Sequence, residues 1–124
     1  MAGVVRASAK TVLEASGERF LGPGVVELLR AVDETGSVKH ACASMGLSYT
    51  KGWRLIRTLE AALGMACVVR QKGGVGGGRA SLTDDCRTLL ARFATFSAEV
   101  DADVDARFTR HFPELSERQE DATA

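Results

Sequence analysis

The 124-residue sequence has no long hydrophobic run. Its apolar stretches are a few residues each, far short of the roughly 20 that span a bilayer, so no membrane partner is expected. The first twenty residues carry Arg6, Lys10, Glu14 and Glu18 with no continuous apolar stretch, which argues against a secretory leader. Cysteine is scarce: Cys42, Cys67 and Cys86 form an odd set without a CxxC pair. No disulfide framework is expected, and the chain is placed in a reducing cytoplasm. His40 and Cys42 lie two apart, but no second pair stands at zinc spacing. No metal and no cofactor are expected, and the cysteines read as small core fillers. The two histidines, His40 and His111, have no evident nucleophile or orienting carboxylate, so the sequence does not read as an enzyme.

Net charge is also missing, with 16 Lys+Arg against 16 Asp+Glu. That excludes a histone-like cloak of basic charge. The zero is nevertheless a sum of unlike parts. Residues 1–36 hold four cations and five anions, a net of −1; residues 37–92 hold nine and three, a net of +6; residues 93–124 hold three and eight, a net of −5. A total says nothing about where charge lies, and here the middle is basic while the end is acidic. Hydrophobic residues make up 45%, enough for a packed core in one domain.

The patterning alternates short strands and helices. Residues 9–14 and 18–21 flank Ala15-Ser16-Gly17 and read as a hairpin. Pro23 is placed to open a helix carrying Val25, Val26, Leu28, Leu29 and Val32, which stops at Gly36. Ser37 caps a shorter second helix, Val38 to Met45, ended by Gly46. Its Ala41, Cys42 and Ala43 are small enough for another helix to approach closely. Ser48 caps a third, Tyr49 to Leu63, ended by Gly64. Two helices joined by a tight Gly46-Leu47-Ser48 turn carry the signature of a helix-turn-helix.

On a wheel of about 100° per residue, Tyr49, Gly52, Trp53, Ile56, Leu59 and Leu63 gather on one face of the third helix. Thr50, Lys51, Arg54, Arg57, Thr58 and Ala61 gather on the other, with no acid among them. Arg and Lys bond guanine edges or phosphates, and Thr bonds a phosphate or touches a thymine methyl. A solvated face of an ordinary amphipathic helix has the same pattern. The cap, the short preceding helix and the tight turn favour a recognition helix, which belongs second in the pair.

Beyond Gly64, Cys67–Arg70 and Ala80–Leu82 read as two strands around Gly73–Gly78. The loop lacks the Gly-Lys-Ser/Thr continuation of a nucleotide-binding P-loop. Arg70, Lys72 and Arg79 flank it, making a cationic wing able to follow a DNA backbone; a hairpin turn without contacts is the plainer alternative. Thr83, Asp84 and Asp85 then open a helix running to about His111. Cys86, Leu89, Leu90, Phe93, Phe96, Val100, Val104 and Phe108 form one apolar stripe along it, and a projecting stripe calls for a partner. Pro113 ends the helix, and the polar tail is expected to be disordered.

From Gly36 to Leu90 the sequence resembles the N-terminal DNA-binding domain of the molybdate-responsive ModE family, within the wider LysR-like group of bacterial winged helix-turn-helix regulators. The residues that carry the resemblance are Gly36-Ser37, Ser48-Tyr49 with Trp53, the Gly73–Gly78 wing and Leu82-Thr83. The family's usual alanine before the tryptophan is Gly52 here, which implies a loosening of the recognition helix by about 1 kcal/mol. Cys86 stands where a glycine is usual, and Val75 where a basic residue is common. ModE proteins continue into molybdate-binding domains. No molybdate-sensing domain is expected in these 124 residues, so only DNA binding and dimerisation carry over.

The expected fold is thus mainly α with a small β wing: a winged helix-turn-helix over residues 1–82 with an N-terminal β-hairpin, a long C-terminal dimerisation helix over 83–112, and a tail over 113–124. The expected function is transcription regulation by a homodimer on double-stranded DNA at a palindromic site. The DNA-binding residues would be Ser37, Ser48, Tyr49, Thr50, Lys51, Arg54, Arg57, Arg70, Lys72 and Arg79. The resemblance implies a two-fold interface through Leu89, Phe93, Phe96, Val100, Val104 and Phe108. The alternative is a winged-helix protein-interaction module that does not bind DNA.

Overall fold

A computed structural model describes residues 3–71 and 79–116. The elements run β1 (Leu13–Ala15), β2 (Glu18–Leu21), α1 (Pro23–Thr35), α2 (Val38–Ser44), α3 (Tyr49–Leu63), β3 (Val68–Gln71), β4 (Arg79–Leu82) and α4 (Asp84–His111). This is the winged helix expected: mostly helical, with a small antiparallel wing and a long last helix. Residues 12–71 and 79–92 make one compact unit; residues 3–11 and 93–116 make another.

In the first unit, Ala15 pairs with Glu18, which leaves Ser16 and Gly17 as a two-residue turn. Their φ angles are 51° and 77°, the left-handed pair a type I′ turn needs to match strand twist. β1 is shorter than the run 9–14 suggested. The register slips between Leu13 and Glu14, and such a bulge interrupts the ladder.

Pro23 opens α1 and a left-handed Gly36 closes it. Ser37 Oγ accepts the His40 N–H at 3.1 Å, and Ser48 Oγ accepts the Lys51 N–H at 3.1 Å, so α2 and α3 each start on a satisfied cap. Between them, Gly46 turns the chain at φ 67°, and the Leu47 N–H donates back to the Cys42 carbonyl at 2.9 Å.

Leu28, Leu29 and Val32 of α1 and Ile56 and Leu59 of α3 are completely buried. Each is worth about 1.5–3 kcal/mol of apolar transfer. The core face of α3 is narrower than the wheel suggested. Gly52, Ile56 and Leu59 are buried, whereas Tyr49 and Leu63 remain 46% and 39% exposed. These are the first and last residues of the helix, where the packing layer has run out.

β3 and β4 pair in register from Val68–Leu82 to Gln71–Arg79. The wing is anchored at both sides. The Glu60 carboxylate of α3 accepts the Cys67 N–H at 2.8 Å, and the Ala80 N–H donates to the Gly36 carbonyl at 2.9 Å. Lys72 and the glycine loop Gly73–Gly78 lie outside the described residues.

α4 begins on Thr83, whose hydroxyl accepts the Cys86 N–H at 3.0 Å and donates to the Ala66 carbonyl at 2.7 Å. Its first turns belong to the winged-helix unit: Cys86 and Leu90 are buried, and Arg87 pairs with Asp33 of α1 at 2.9 Å. In the second unit, Val104 and Phe108 line a cleft with residues Arg6–Ala9, so the chain's own N-terminal segment borders the stripe there. Phe96 is 45% exposed. Residues 113–116, assigned to the tail from sequence, make a helical turn in which Ser116 is buried. Thr109 and Ser116 hydroxyls lie 3.2 Å apart. Among the described residues no helix is long and apolar enough to cross a membrane.

Candidate nucleic-acid interface

The outward face of α3 presents Thr50, Lys51, Arg54 and Arg57, all exposed. Thr58, on the same side, donates to the Arg54 carbonyl at 2.8 Å. Beside this face the β1–β2 hairpin rises, leaving a groove of about 730 Å³ lined by Ser16, Glu18 and Phe20 on one side and by Trp53, Arg54 and Arg57 on the other.

Trp53 sits where the buried and charged faces of α3 meet. The Arg57 guanidinium lies 5.1 Å and the Arg70 guanidinium 4.4 Å from its ring centre. Tyr49 meets the same ring edge-on at 6.4 Å, and the Arg70 Nη2 donates to the Tyr49 hydroxyl at 2.6 Å. A wing strand is thereby fastened to the recognition helix across 21 residues of sequence. Each cation–π contact contributes about 0.5–1 kcal/mol at an exposed site and more when desolvated. The indole N–H is buried with no partner among the described residues, so the ring acts here through its π face.

The residues expected from sequence fall into four groups. Thr50, Lys51 and Arg54 are exposed on the helix face. Ser37 and Ser48 spend an acceptor pair on capping, which leaves each hydroxyl proton available to an external acceptor. Tyr49, Arg57 and Arg70 are engaged with Trp53 or one another, so they are held in place before any ligand arrives. Arg79 packs on Gly36, and Lys72 lies outside the described residues. Sequence reasoning missed Lys39, which the fold brings beside Ser37, Tyr49, Arg70 and Arg79. A cation two residues after a cap was the available signal. It also treated Trp53 as simple core, because a wheel does not show what the wing will lay over a boundary residue.

The cysteines are core residues. Cys42, Cys67 and Cys86 are free and buried. Burial raises the Cys42 and Cys67 thiols above their ordinary value. Cys86 is pushed up to about 12, first by burial and then by the neighbouring Cys67. A thiol kept protonated is a poor nucleophile, which agrees with reading the cysteines as small core fillers.

Residues 25–87 match the model of the bacterial regulatory helix-turn-helix proteins of the LysR family. The chain belongs to that family. This LysR-family chain is also similar to Mop and ModE proteins, as the sequence resemblance implied. It is 35% identical over 95 residues to the molybdenum-pterin-binding protein MopB of Rhodobacter capsulatus, covering 77% of this chain and 35% of that protein. It is 32% identical over 98 residues to the molybdenum transport protein ModE of Azotobacter vinelandii, covering 79% and 33%. It is 34% identical over 64 residues to the transcriptional regulator ModE of Yersinia pestis, covering 52% and 24%. The matched part thus spans about a third or less of each of these relatives.

Proposed function

We propose that this LysR-family chain binds double-stranded DNA as a homodimer and reads a palindromic site with α3. The observation that carries the reading is the outward face of α3. Thr50, Lys51, Arg54 and Arg57 stand there exposed, without an acid, on the second helix of a helix-turn-helix. Arg54 and Lys51 reach base edges and phosphates, and Thr50 reaches a phosphate or a thymine methyl. Ser37, Ser48 and Tyr49 border the same surface. The acidic end of the chain, net −5 over residues 93–124, is repelled by phosphate and keeps α4 off the duplex.

Dimerisation is assigned to the α4 stripe, Leu89, Phe93, Phe96, Val100, Val104 and Phe108. Phe96 supports this most directly, as a large apolar side chain left 45% exposed. A two-fold dimer would set its recognition helices about 34–36 Å apart, or a multiple of that, matching half-site spacing.

Selection from a random duplex pool tests the reading. Enrichment of a palindrome, with affinity falling steeply as salt rises by roughly 0.9 in log slope per phosphate contact, is the expected result. A pool with no enriched duplex sinks DNA recognition and leaves a protein partner for the same face. Phe96→Asp, measured by sedimentation, is expected to shift the dimer toward monomer; an unchanged mass removes α4 from the interface.

A further inference from the structure

Next to α3 lies a second concave feature. A cleft of about 440 Å³ opens where α2, the start of α3 and the wing strands converge. Ser37 and Lys39 line it from α2, Tyr49 from α3, and Arg70 and Arg79 from the wing. Among the described residues no carboxylate lines it, so three cations share one small space. We propose that this cleft is a phosphate pocket, and that its occupant is one backbone phosphate of the bound duplex. The inference rests on the DNA reading and adds to it a defined pocket and a residue, Lys39.

Two features distinguish the cleft from a merely basic surface. First, the Arg70 guanidinium is held beforehand, and Arg79 packs against a glycine. Arg70 is stacked 4.4 Å over Trp53 and donates to Tyr49 at 2.6 Å. That bond uses one of its five N–H donors. Arg79 packs against Gly36: a Cβ built there would meet Nη2, Nε and Cζ of Arg79 at 2.9, 3.1 and 3.3 Å. Gly36 also has φ 69°, so its missing side chain serves both the turn and the arginine's seat. Donors fixed in advance lose little conformational freedom on binding, and a planar guanidinium matches a phosphate's two free oxygens. Second, the two arginines come from paired strands of the wing and line the cleft together with Lys39 of α2. Ser37 adds a hydroxyl whose proton its capping role leaves free.

The pocket also links the two DNA-reading elements. A phosphate held by Arg70 and Lys39 joins wing to α2, while Arg70 is already tied to α3 through Tyr49 and Trp53. One backbone contact would therefore set the height at which α3 enters the major groove.

The test uses the full chain and a selected duplex in which single phosphates are replaced, one at a time, by uncharged methylphosphonates. One position per half-site is expected to weaken binding about tenfold, the equivalent of one charge-assisted hydrogen bond. At that position Lys39→Ala and Arg79→Gln should cause no further loss, although each weakens the unmodified duplex and lowers the salt slope by about one contact. If the variants lose affinity equally on every modified duplex, the pocket is overturned while the DNA reading stands. If no duplex binds at all, the DNA reading and the assigned occupant fall together. A titration with inorganic phosphate, followed by the emission of Trp53, the chain's single tryptophan, separates the sources. A millimolar response abolished by Arg79→Gln supports a phosphate pocket, and no response in either protein counts against one.

Discussion

The Sγ of Cys42 occupies the space into which a Cβ on Gly52 would project. α2 and α3 therefore touch through a sulfur and a bare backbone, and both residues are buried at that contact. From sequence, Gly52 reads as a weakness in the recognition helix. In the fold it is a condition for the two helices to pack at this distance.

Gly52→Ala gains about 1 kcal/mol of helix propensity but forces Cys42 or α2 to move, and overpacking of this kind costs about 1–3 kcal/mol. Net destabilisation in urea unfolding is the expected outcome. Adding Cys42→Ala should recover most of it, a non-additivity that identifies direct contact. Equal loss with and without Cys42 would falsify the account.

Cys86 gives the protein an alkaline limit. Burial and the neighbouring Cys67 push its thiol up to about 12 from the ordinary 9.0. Above pH 9 the unfolded chain ionises this group while the folded chain holds it neutral. The contribution is complete below pH 9 and is lost as pH rises toward 12. Unfolding free energy of the wild type should fall between pH 9 and 11, and Cys86→Ala should flatten that part of the slope. Iodoacetamide should modify all three buried cysteines only after denaturation.

Thr83→Ala removes one hydroxyl that both caps α4 and holds the Ala66 carbonyl. A loss of about 1–2 kcal/mol is expected, with Thr83→Ser close to wild type. Thermal unfolding of the pair decides it: equal stability of the Ala and Ser variants would show that the cap contributes nothing.

Arg70→Lys keeps the charge but gives up the planar stack on Trp53 and the fork that reaches Tyr49. The emission of Trp53 should change in Arg70→Lys and in Arg70→Ala alike, and stay as in wild type in Arg107→Ala, whose side chain pairs with Asp103 on its own helix α4. A lysine variant spectrally identical to wild type would show that the stack is not formed in solution.

Local signals carried most of the fold. Pro23, Ser37, Gly46, Ser48, Gly64 and Thr83 each act within a few residues of themselves, through a fixed φ, a capped N–H or a left-handed turn, so helix limits could be read from the chain directly. The charged face of α3 was legible for the same reason, since helical periodicity is local. The boundary residues were not. Tyr49, Trp53 and Arg70 acquire their arrangement because β3 is delivered against α3 from 21 residues away, and no window of sequence contains both partners.

By itself, then, the sequence determined a winged helix-turn-helix with a basic middle and an acidic end, because caps, glycines and periodicity are written in neighbouring residues. Tertiary structure alone decided three things: that Gly52 makes room for Cys42, that Cys86 is buried beside Cys67, and that Lys39, Arg70 and Arg79 line one cleft. Each depends on which groups from distant elements share the same few ångströms, and packing sets that, not any local preference.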